Sequence, residues 1–425
     1  MKAKLFIFSV ALLLCSACST PLSYDYHDDT TALWPAFSTT CDSVGYINAK
    51  GKMVIKPVCV DACFFSSGRA KVYRHDGGQQ IIDKNGQVIY TCSTDEEVED
   101  YAINGYFRFT KGRSAGLYDI NFNVVIPAVE NQDVGYMTRD GLIRLFKEEN
   151  AIYTIHYVNI QGDTVLSLPK EYLYANDFCD GRAVVLGRNW KYGAINKKGE
   201  LVVDTIYEEL YPAGANRLVY RNHNTYYGLI DTDGNVVTEP RFNNVLFFAE
   251  NDLAAVVYPT TDGYDKMGWV DKNGNQQIAG SDFVYVTPFY DGVAWALVKH
   301  EDMEEYEEQL YDTKGNILLT TKEHTPISSF INGLCLVNGW DKEAKTEQHR
   351  YIDKKGNVVY NWNENRPMSD WWNPRLVKGA QTNASKIEAY EEMLETMFAG
   401  TEYAPLIKQR KELKQVLNHI EQFIK

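Results

Sequence analysis

The ten residues "GLIDTDGNVV", Gly228 to Val237, carry the pattern that decides the fold of this chain. Apolar residues precede an Asp, two polar residues and a Gly follow it, and a second apolar run closes the segment. An Asp side chain can accept hydrogen bonds from the amides of a turn, and a Gly can adopt the positive φ that closes it. The stretch therefore predicts a β-hairpin whose turn is fixed by its own side chains.

Variants of this stretch occur nine times, at steps of 35 to 41 residues. The anchoring Asp or Asn falls at Asn48, Asp83, Asp119, Asn159, Asn196, Asp231, Asp271, Asp312 and Asp353. The turn Gly falls at Gly51, Gly86, Gly162, Gly199, Gly234, Gly274, Gly315 and Gly356. The third copy has Phe122 and Asn123 where Gly is expected, and we expect Asn123 to take the left-handed conformation there. A period kept for over three hundred residues indicates a repeat architecture.

A second motif follows the hairpins and consists of an aromatic residue, a short polar turn and an apolar run. Examples are "FSSGRAKVYR" from Phe65, "FCDGRAVVLG" from Phe178 and "FYDGVAWALVK" from Phe289. With the hairpin, it predicts units of three to four short antiparallel strands without a helix.

The residues before each anchor, such as Leu229 and Ile230 or Trp269 and Val270, are apolar in pairs. Successive strand residues face opposite sides, so these strands are expected to be covered on both faces. A propeller meets that demand, and so does an open twisted β-solenoid. We expect an all-β, propeller-like array. Nine copies are near the upper limit for closure, which leaves open whether one or two of them cap the array.

The repeats resemble the WG-repeat family, also called KWG repeats, over about residues 43 to 360. Gly268 with Trp269, and the stretch from Trp190 to Gly193, are the nearest matches to its Trp-Gly feature. The family brings no general catalytic residues and is typically exported or found in multidomain bacterial proteins. The resemblance therefore implies a repeat scaffold, over residues 43–365, and not a reaction.

The N-terminus has the pattern of an export signal. Lys2 and Lys4 precede an apolar run, Leu5 to Leu14, which is too short to span a bilayer. The following "LLLCSACST" resembles the lipobox of bacterial lipoproteins, which implies cleavage after residue 17 and lipidation of Cys18. We expect a signal peptide over 1–17, a lipidated tether over 18–42, and a location in the cell envelope, at the outer membrane, with the membrane face left open. A plain cleaved signal peptide is the alternative.

The C-terminal residues 366–425 change in character. "DWWNPR" from Asp370 precedes two segments with helical spacing of apolar residues, beginning near Ser385 and Pro405. We expect a linker and an α-helical hairpin, which either caps the last repeat or docks a partner. Trp371 and Trp372 are candidate interaction residues.

Composition and the remaining motifs narrow the chemistry. The formal charge of -14 argues against a nucleic-acid partner. "DTDGN" lacks the spacing of a calcium loop, and the scattered His form no catalytic or metal motif, so we expect no metal, no cofactor and no catalytic residues. Disulfides among Cys41, Cys59, Cys63 and Cys92 are open, because connectivity cannot be deduced from spacing.

These observations favour a membrane-anchored, non-catalytic scaffold that binds protein or carbohydrate, since repeated hairpins create an extended surface and Tyr and Trp suit such contacts. One alternative is a structural subunit of an envelope complex that docks through the C-terminal helices. Another is a carbohydrate-active hydrolase with two carboxylates at a propeller centre. The site is expected where the copies differ: the loops after Tyr258 and Lys299, the "DWWNPR" segment and the helices beyond it.

Overall fold

The computed structural model describes residues 31–39, 43–149, 152–223, 225–259, 266–278, 283–299, 306–341 and 346–363. These residues form nine small antiparallel sheets, which we call blades 1 to 9 in chain order. Blade 1 comprises β1 (Leu33–Phe37), β2 (Val44–Asn48) and β3 (Met53–Cys59). A three-residue 3-10 turn, Glu250–Asp252, is the helical element of the described residues.

The other eight blades each have four strands. Blade 2 comprises β4 (Asp61–Ala62), β5 (Arg69–Tyr73), β6 (Gln79–Asp83) and β7 (Val88–Thr91), and blade 3 comprises β8 (Glu96–Val98), β9 (Tyr106–Lys111), β10 (Ser114–Asp119) and β11 (Val124–Val129). Blade 4 comprises β12 (Gln132–Val134), β13 (Ile143–Glu149), β14 (Ile152–Val158) and β15 (Thr164–Ser167), and blade 5 comprises β16 (Tyr172–Ala175), β17 (Arg182–Gly187), β18 (Tyr192–Asn196) and β19 (Leu201–Tyr207). Blade 6 comprises β20 (Glu209–Gly214), β21 (Arg217–Arg221), β22 (Tyr227–Asp231) and β23 (Val236–Phe242), and blade 7 comprises β24 (Asn244–Phe248), β25 (Leu253–Tyr258), β26 (Lys266–Asp271) and β27 (Gln276–Ile278). Blade 8 comprises β28 (Phe283–Val286), β29 (Val293–Val298), β30 (Glu307–Asp312) and β31 (Ile317–Thr321), and blade 9 comprises β32 (His324–Pro326), β33 (Leu334–Asp341), β34 (Thr346–Asp353) and β35 (Val358–Asn363).

Within each blade the strands are hydrogen-bonded in chain order, first to fourth. Because neighbouring strands run antiparallel, successive hairpins lie at opposite ends of the sheet. The hairpins between first and second strands and between third and fourth strands share one side of the array, which we call the turn face. The hairpins between second and third strands lie on the opposite side, the loop face. In blade 1 the Asn48 turn joins β2 and β3, so its three strands correspond to the second, third and fourth.

The core lies between blades, where apolar side chains of adjacent sheets interdigitate. One cluster joins Val219 and Leu229 of blade 6 to Val256 and Val270 of blade 7, all fully buried. Burying one such side chain stabilises the fold by about 1.5 to 3 kcal/mol. The prediction that the strands before the anchors are covered on both faces is confirmed.

The first strands lie at the inner edge of the array. Tyr211, on the first strand of blade 6, donates its hydroxyl to the carbonyl of Val245 on the first strand of blade 7, at 3.0 Å. Fourth strands instead begin with exposed aliphatic residues, such as Val88, Val124 and Val236. Each sheet therefore runs outward from a common axis.

The ring closes between blade 9 and blade 1. Trp34 donates its indole N–H to the carbonyl of Ile331 at 2.9 Å, and Tyr351 donates its hydroxyl to the carbonyl of Pro35 at 2.7 Å. Trp34 and Ile47 of blade 1 share a buried cluster with Tyr351 of blade 9. The structure is a nine-bladed propeller, so the propeller prediction is confirmed and the open-solenoid alternative is wrong. All nine copies complete the ring, and none caps it.

Two details of the predicted organisation differ from the structure. The strand Leu33–Phe37 lies in blade 1, although the sequence placed it in the tether 18–42; it precedes the first anchor turn and so lacks the repeat pattern. The anchor hairpin also ends a blade, so each predicted unit spans two blades. The predicted signal peptide, Cys18 and the predicted C-terminal hairpin lie outside the described residues. None of the helices in the part of the chain that the structure describes is long and apolar enough to cross a bilayer.

Candidate functional site

The side chains of the anchor residues form hydrogen bonds within their own turns. Asp231 Oδ1 accepts the backbone N–H groups of Asp233 and Asn235, both at 2.9 Å, and Oδ2 accepts the Asn235 side-chain amide at 2.9 Å. The same two backbone bonds, from the residues two and four positions on, occur at all nine anchors. Partial burial acts to raise the pKa of Asp231, but the hydrogen bonds from Asn235 and Asp233 outweigh it and lower that pKa.

In the third copy, which lacks the turn glycine, the residue with the left-handed backbone is not the one that we predicted. Phe122, and not Asn123, has the left-handed backbone, with φ of 63°. Its ring stacks on Tyr90 at 4.5 Å and packs at 5.2 Å from Phe107. A left-handed residue other than Gly costs roughly 1 to 2 kcal/mol, and burial of the aromatic ring offsets that cost here.

The turns also join adjacent blades. Arg182 of blade 5 donates its Nε–H to the carbonyl of Thr232 in the blade 6 turn at 2.7 Å, and forms an ion pair with Asp233 at 2.8 Å. Arg69 and Arg217 make the corresponding backbone bond to the turns of blades 3 and 7. The polar groups of the turn face therefore hold the propeller together.

A ladder of charged residues links blades 2 to 5 near their first strands. Lys71, whose side chain is fully buried, donates to Glu97 and Asp100 at 3.0 Å each. Arg108 pairs with Asp133 at 2.7 Å, and Arg144 lies 3.3 Å from both Asp133 and Asp177. The residues at the equivalent strand position in blades 5 to 9 are apolar: Val184, Val219, Ala255, Trp295 and Leu336.

This ladder is better suited to joining blades than to acid–base catalysis. Burial opposes the shift, but Arg144 and Arg108 lower the pKa of Asp133, which keeps that carboxylate ionised. A glycosidase of the usual kind needs one carboxyl with a raised pKa beside an ionised one. Burial raises the pKa of Glu308 to about 8, but Glu308 lies in blade 8, away from the ladder of blades 2 to 5.

The described cysteines are free thiols. No disulfide joins Cys59, Cys63 and Cys92 to one another, and Cys41 lies outside the described residues. Burial raises the pKa of Cys63, and burial with the nearby Glu96 charge raises that of Cys92 to about 11. The protonated thiol is a poor nucleophile and metal ligand, so these residues give no support to a thiolate site.

The loop face carries most of the exposed aromatic rings. Within the described residues, six aromatic residues are more than about a third exposed, and five of these lie on hairpins between second and third strands. They are Tyr153 of blade 4, Trp190 of blade 5, Tyr226 of blade 6, Tyr306 of blade 8 and Trp340 of blade 9. Their exposed fractions run from 37% for Tyr226 to 54% for Trp340. The sixth, Tyr174, lies on a first strand.

Trp190 has the most unusual geometry of the five. It is 53% exposed and its backbone is left-handed, with φ of 58°. Its N–H donates to the carbonyl of Gly187 at 3.0 Å, which closes the hairpin. Asn189 holds the turn from the side, because Nδ2 donates to the Thr205 carbonyl at 2.8 Å and Oδ1 accepts the Lys191 N–H at 3.1 Å. The indole is thus displayed from a fixed turn.

A family model matches three stretches of the chain, and each stretch spans the same four positions in the order of strands. The model of the "WG containing repeat" family matches residues 45–76, 192–226 and 227–258. Three stretches of the chain therefore match the WG repeat. Each matched WG repeat covers the last two strands of one blade and the first two of the next. The WG unit is therefore out of phase with the blade, so every repeat ties two neighbouring sheets together.

The glycine that opens each matched WG repeat has a packing role. A Cβ on Gly228 would lie 2.6 Å from the carbonyl oxygen of Thr238 and 2.6 Å from the Tyr220 ring. The fourth strand is bulged at this point, where its register against Tyr227 and Leu229 shifts. Only glycine leaves room for that close backbone approach.

Several solved structures are similar to this chain at low identity. BamB from Moraxella catarrhalis is 9% identical, with 63% of this chain and 87% of that chain covered and a TM-score of 0.35. Hsv2p from Kluyveromyces lactis is 11% identical, with 68% and 96% covered and a TM-score of 0.34. Prolyl oligopeptidase B from Galerina marginata is 10% identical, with 69% and 54% covered and a TM-score of 0.36. No curated protein matches the chain.

The loops that the sequence proposed as a site, after Tyr258 and Lys299, consist mostly of residues outside the described part of the chain. The strands on either side of each loop are second and third strands of a blade. Trp371 and Trp372 lie outside the described residues. Sequence reasoning missed the exposed ring of Trp340 and its four counterparts. The sequence feature that could have identified these five rings is an aromatic residue between the second motif and the next WG repeat.

Proposed function

We propose that this protein is a non-catalytic propeller scaffold, anchored by lipid at Cys18 in the cell envelope, whose loop face binds protein or carbohydrate. The observation that carries the proposal is the concentration of exposed aromatic rings on the second-to-third hairpins of five blades. Aromatic residues at a surface supply large contact area with little loss of conformational entropy, and they dominate binding energies. The polar side chains of the turn face, by contrast, are engaged in structure.

The position of the proposed anchor suits this division. The first described strand, Leu33–Phe37, corresponds to a second strand and therefore begins at the turn face. Thirteen residue steps separate Cys18 from Thr31, a tether that can reach roughly 45 Å when extended. A lipid on Cys18 would hold the propeller by its turn face and leave the loop face directed toward a ligand.

The binding proposal is tested by capture from solubilised envelope fractions with the full-length lipidated protein. The loop-face variant combines Trp190→Ala, Tyr226→Ala and Trp340→Ala. The matched control removes three exposed aliphatic residues of the outer strands, Val88→Ala, Val236→Ala and Val358→Ala. We expect the wild type and the control to retain the same components and the loop-face variant to lose about tenfold or more of them. Equal retention by all three proteins would overturn the assignment to the loop face.

The anchor has its own test. Replacing Cys18→Ala removes the thiol that would carry the lipid, so the variant should move from the detergent phase to the aqueous phase on partitioning. A variant that stays in the detergent phase would contradict lipidation at Cys18 without bearing on the loop face.

A further inference from the structure

We propose that the outer rim of blade 1 is a membrane contact, where a stripe of lysine and valine side chains binds an anionic lipid surface. The stripe consists of Lys52, Val54, Lys56 and Val58, with Lys50 in the turn before it. The inference rests on the proposed anchoring of the chain in the envelope, and it adds a contact that the folded propeller itself makes.

The strand β3 (Met53–Cys59) places the side chains of the stripe on one side of its sheet. Its residues alternate between half-buried and exposed, because successive strand residues point to opposite faces. Lys52 is exposed just before the strand, and Lys56 is exposed within it. Val54 is 47% exposed, and Val58, at 64%, is the most exposed large apolar side chain that the structure describes. The outward side of β3 therefore presents basic and apolar groups in turn.

The lysines of the stripe are not neutralised within the propeller. Residues 48–60 contain three lysines and no Asp or Glu, in a chain whose formal charge is -14. Among the described residues, no carboxylate forms an ion pair with Lys50, Lys52 or Lys56. The next acid, Asp61, lies on the first strand of blade 2 and accepts the N–H of Ala62 at 2.8 Å. The rim of blade 1 is therefore a local positive surface on an acidic protein.

The sign of this charge distinguishes blade 1 from the opposite side of the ring. Counted from the anchor, Lys52 corresponds to Glu200 of blade 5. Lys56 corresponds to Asp204 of blade 5 and to Glu239 of blade 6. Among the nine fourth strands as the structure describes them, β3 is the one that contains a lysine. Because blades 5 and 6 lie farthest from blade 1 in a closed ring of nine, carboxylates stand opposite the lysines.

Protection of the sheet edge does not explain a positive sign. A charged side chain on an outer strand keeps that edge from pairing with another chain, and a carboxylate such as Asp204 of β19 also serves that purpose. The strand β3 has, in addition, Pro57, which lacks an N–H to offer to another strand. Lysines that alternate with exposed valines fit an anionic lipid surface, since ammonium groups are attracted to its headgroups and apolar side chains enter the interface.

The place of the stripe in the chain agrees with the proposed anchor. Blade 1 is the first blade after the predicted tether, and its strands are hydrogen-bonded in the order β1, β2, β3. The rim of blade 1 would thus meet the bilayer close to where the tether joins the propeller. Blades 5 and 6 would then lie away from the membrane.

Sedimentation with lipid vesicles tests the inference on the full chain with Cys18→Ala, so that no lipid anchor contributes. The vesicles contain phosphatidylcholine alone or an equal mixture with phosphatidylglycerol. We expect tighter binding to the anionic vesicles, weakened by added salt. A lysine near an anionic surface strengthens binding by about fivefold, so Lys50→Gln, Lys52→Gln and Lys56→Gln together should lower the affinity for anionic vesicles roughly a hundredfold.

A matched variant separates the stripe from net charge. It replaces three exposed lysines outside blade 1, Lys170→Gln, Lys198→Gln and Lys266→Gln, and so changes the formal charge equally. We expect it to keep nearly the full affinity for anionic vesicles. Both triple variants should unfold in urea at the midpoint of the parent, because exposed substitutions change stability little. Equal losses of affinity in the two variants would overturn the assignment to β3.

The outcomes keep this inference apart from the proposed function. Binding of the Cys18→Ala chain to both kinds of vesicle equally, or to neither, would overturn the membrane contact of blade 1. Detergent partitioning and capture would still decide the anchor and the loop face. Lysine-dependent retardation in a gel that contains alginate, without binding to anionic vesicles, would overturn lipid as the partner in favour of an acidic polymer.

Discussion

The two faces of the propeller use the same strands in opposite ways. On the turn face, nine anchors make the same pair of backbone hydrogen bonds, and arginines such as Arg182 bind the turn of the next blade. On the loop face, the second-to-third hairpins vary from two residues between β9 and β10 to eight between β29 and β30. Residues that must close a turn are restricted by backbone geometry. Residues beyond a hairpin end are free to differ, and binding chemistry can collect there.

The largest expected effect is at the seam of the turn face. Gly51 has φ of 73°, and a Cβ there would overlap the carbonyl oxygen of Val359 in blade 9. Gly51→Ala therefore combines backbone strain with a clash across the closure of the ring. We expect a loss of about 3 kcal/mol in the free energy of unfolding, measured by urea denaturation.

Gly68→Ala is the control for that change. Gly68 has nearly the same φ, 74°, but a Cβ there meets nothing within 4 Å. It should lose only the strain component, about 1 kcal/mol. Equal losses for the two variants would show that closure between blades 9 and 1 adds nothing to stability.

A second prediction compares the two strained aromatic residues. Phe122→Gly relieves the left-handed strain but removes a ring that stacks on Tyr90 at 4.5 Å. Loss of a buried Phe costs about 3 to 5 kcal/mol, and strain relief returns roughly 1 to 2. We therefore expect a net loss of about 2 kcal/mol in urea unfolding. If Phe122→Gly proves as stable as the wild type, the ring does not hold this turn, and the contrast with Trp190 disappears.

Much of the turn face could be predicted from sequence, because its chemistry is local. The anchor at Asp231 and the glycine at Gly234 lie within one hairpin, and their spacing alone specifies the turn. Closure of the ring depends instead on contacts such as Trp34 with Ile331, which are 297 residues apart. The paired apolar residues predicted sheets covered on both faces, but a closed ring and an open array share that pattern.

Two features, the left-handed conformation of Phe122 and the charged ladder, could not be predicted from the sequence of a single repeat. Asn tolerates the left-handed region better than Phe does, so sequence favoured Asn123, yet the aromatic cluster decided the position. Lys71 and Arg144 occupy strand positions that other blades fill with apolar residues, and their partners Asp100 and Asp177 lie in the next blade. Nothing within one repeat specifies those partners.

The smallest expected effect concerns the charge of one anchor. Asn48, Asn159 and Asn196 make the same two backbone bonds as Asp231, so Asp231→Asn should lose no more than about 1 kcal/mol of unfolding free energy at pH 7.

The folded state lowers the pKa of Asp231 from its ordinary 3.8, against the opposing effect of partial burial, through hydrogen bonds from Asn235 and Asp233. A lowered pKa means that the unfolded chain binds more protons, so the charge stabilises the fold above the ordinary pKa and ceases to do so as pH falls through the lowered one. The difference between wild type and Asp231→Asn in urea unfolding should therefore be constant from pH 7 to about 5, decrease as the pH falls through the ordinary pKa of 3.8, and vanish only below the lowered pKa. The reverse change, Asn196→Asp, should add acid sensitivity in the same window, because its Asp would meet the same two amides. A difference that stays the same across this range would mean that the turn holds its anchor by geometry alone, whichever side chain supplies the oxygen.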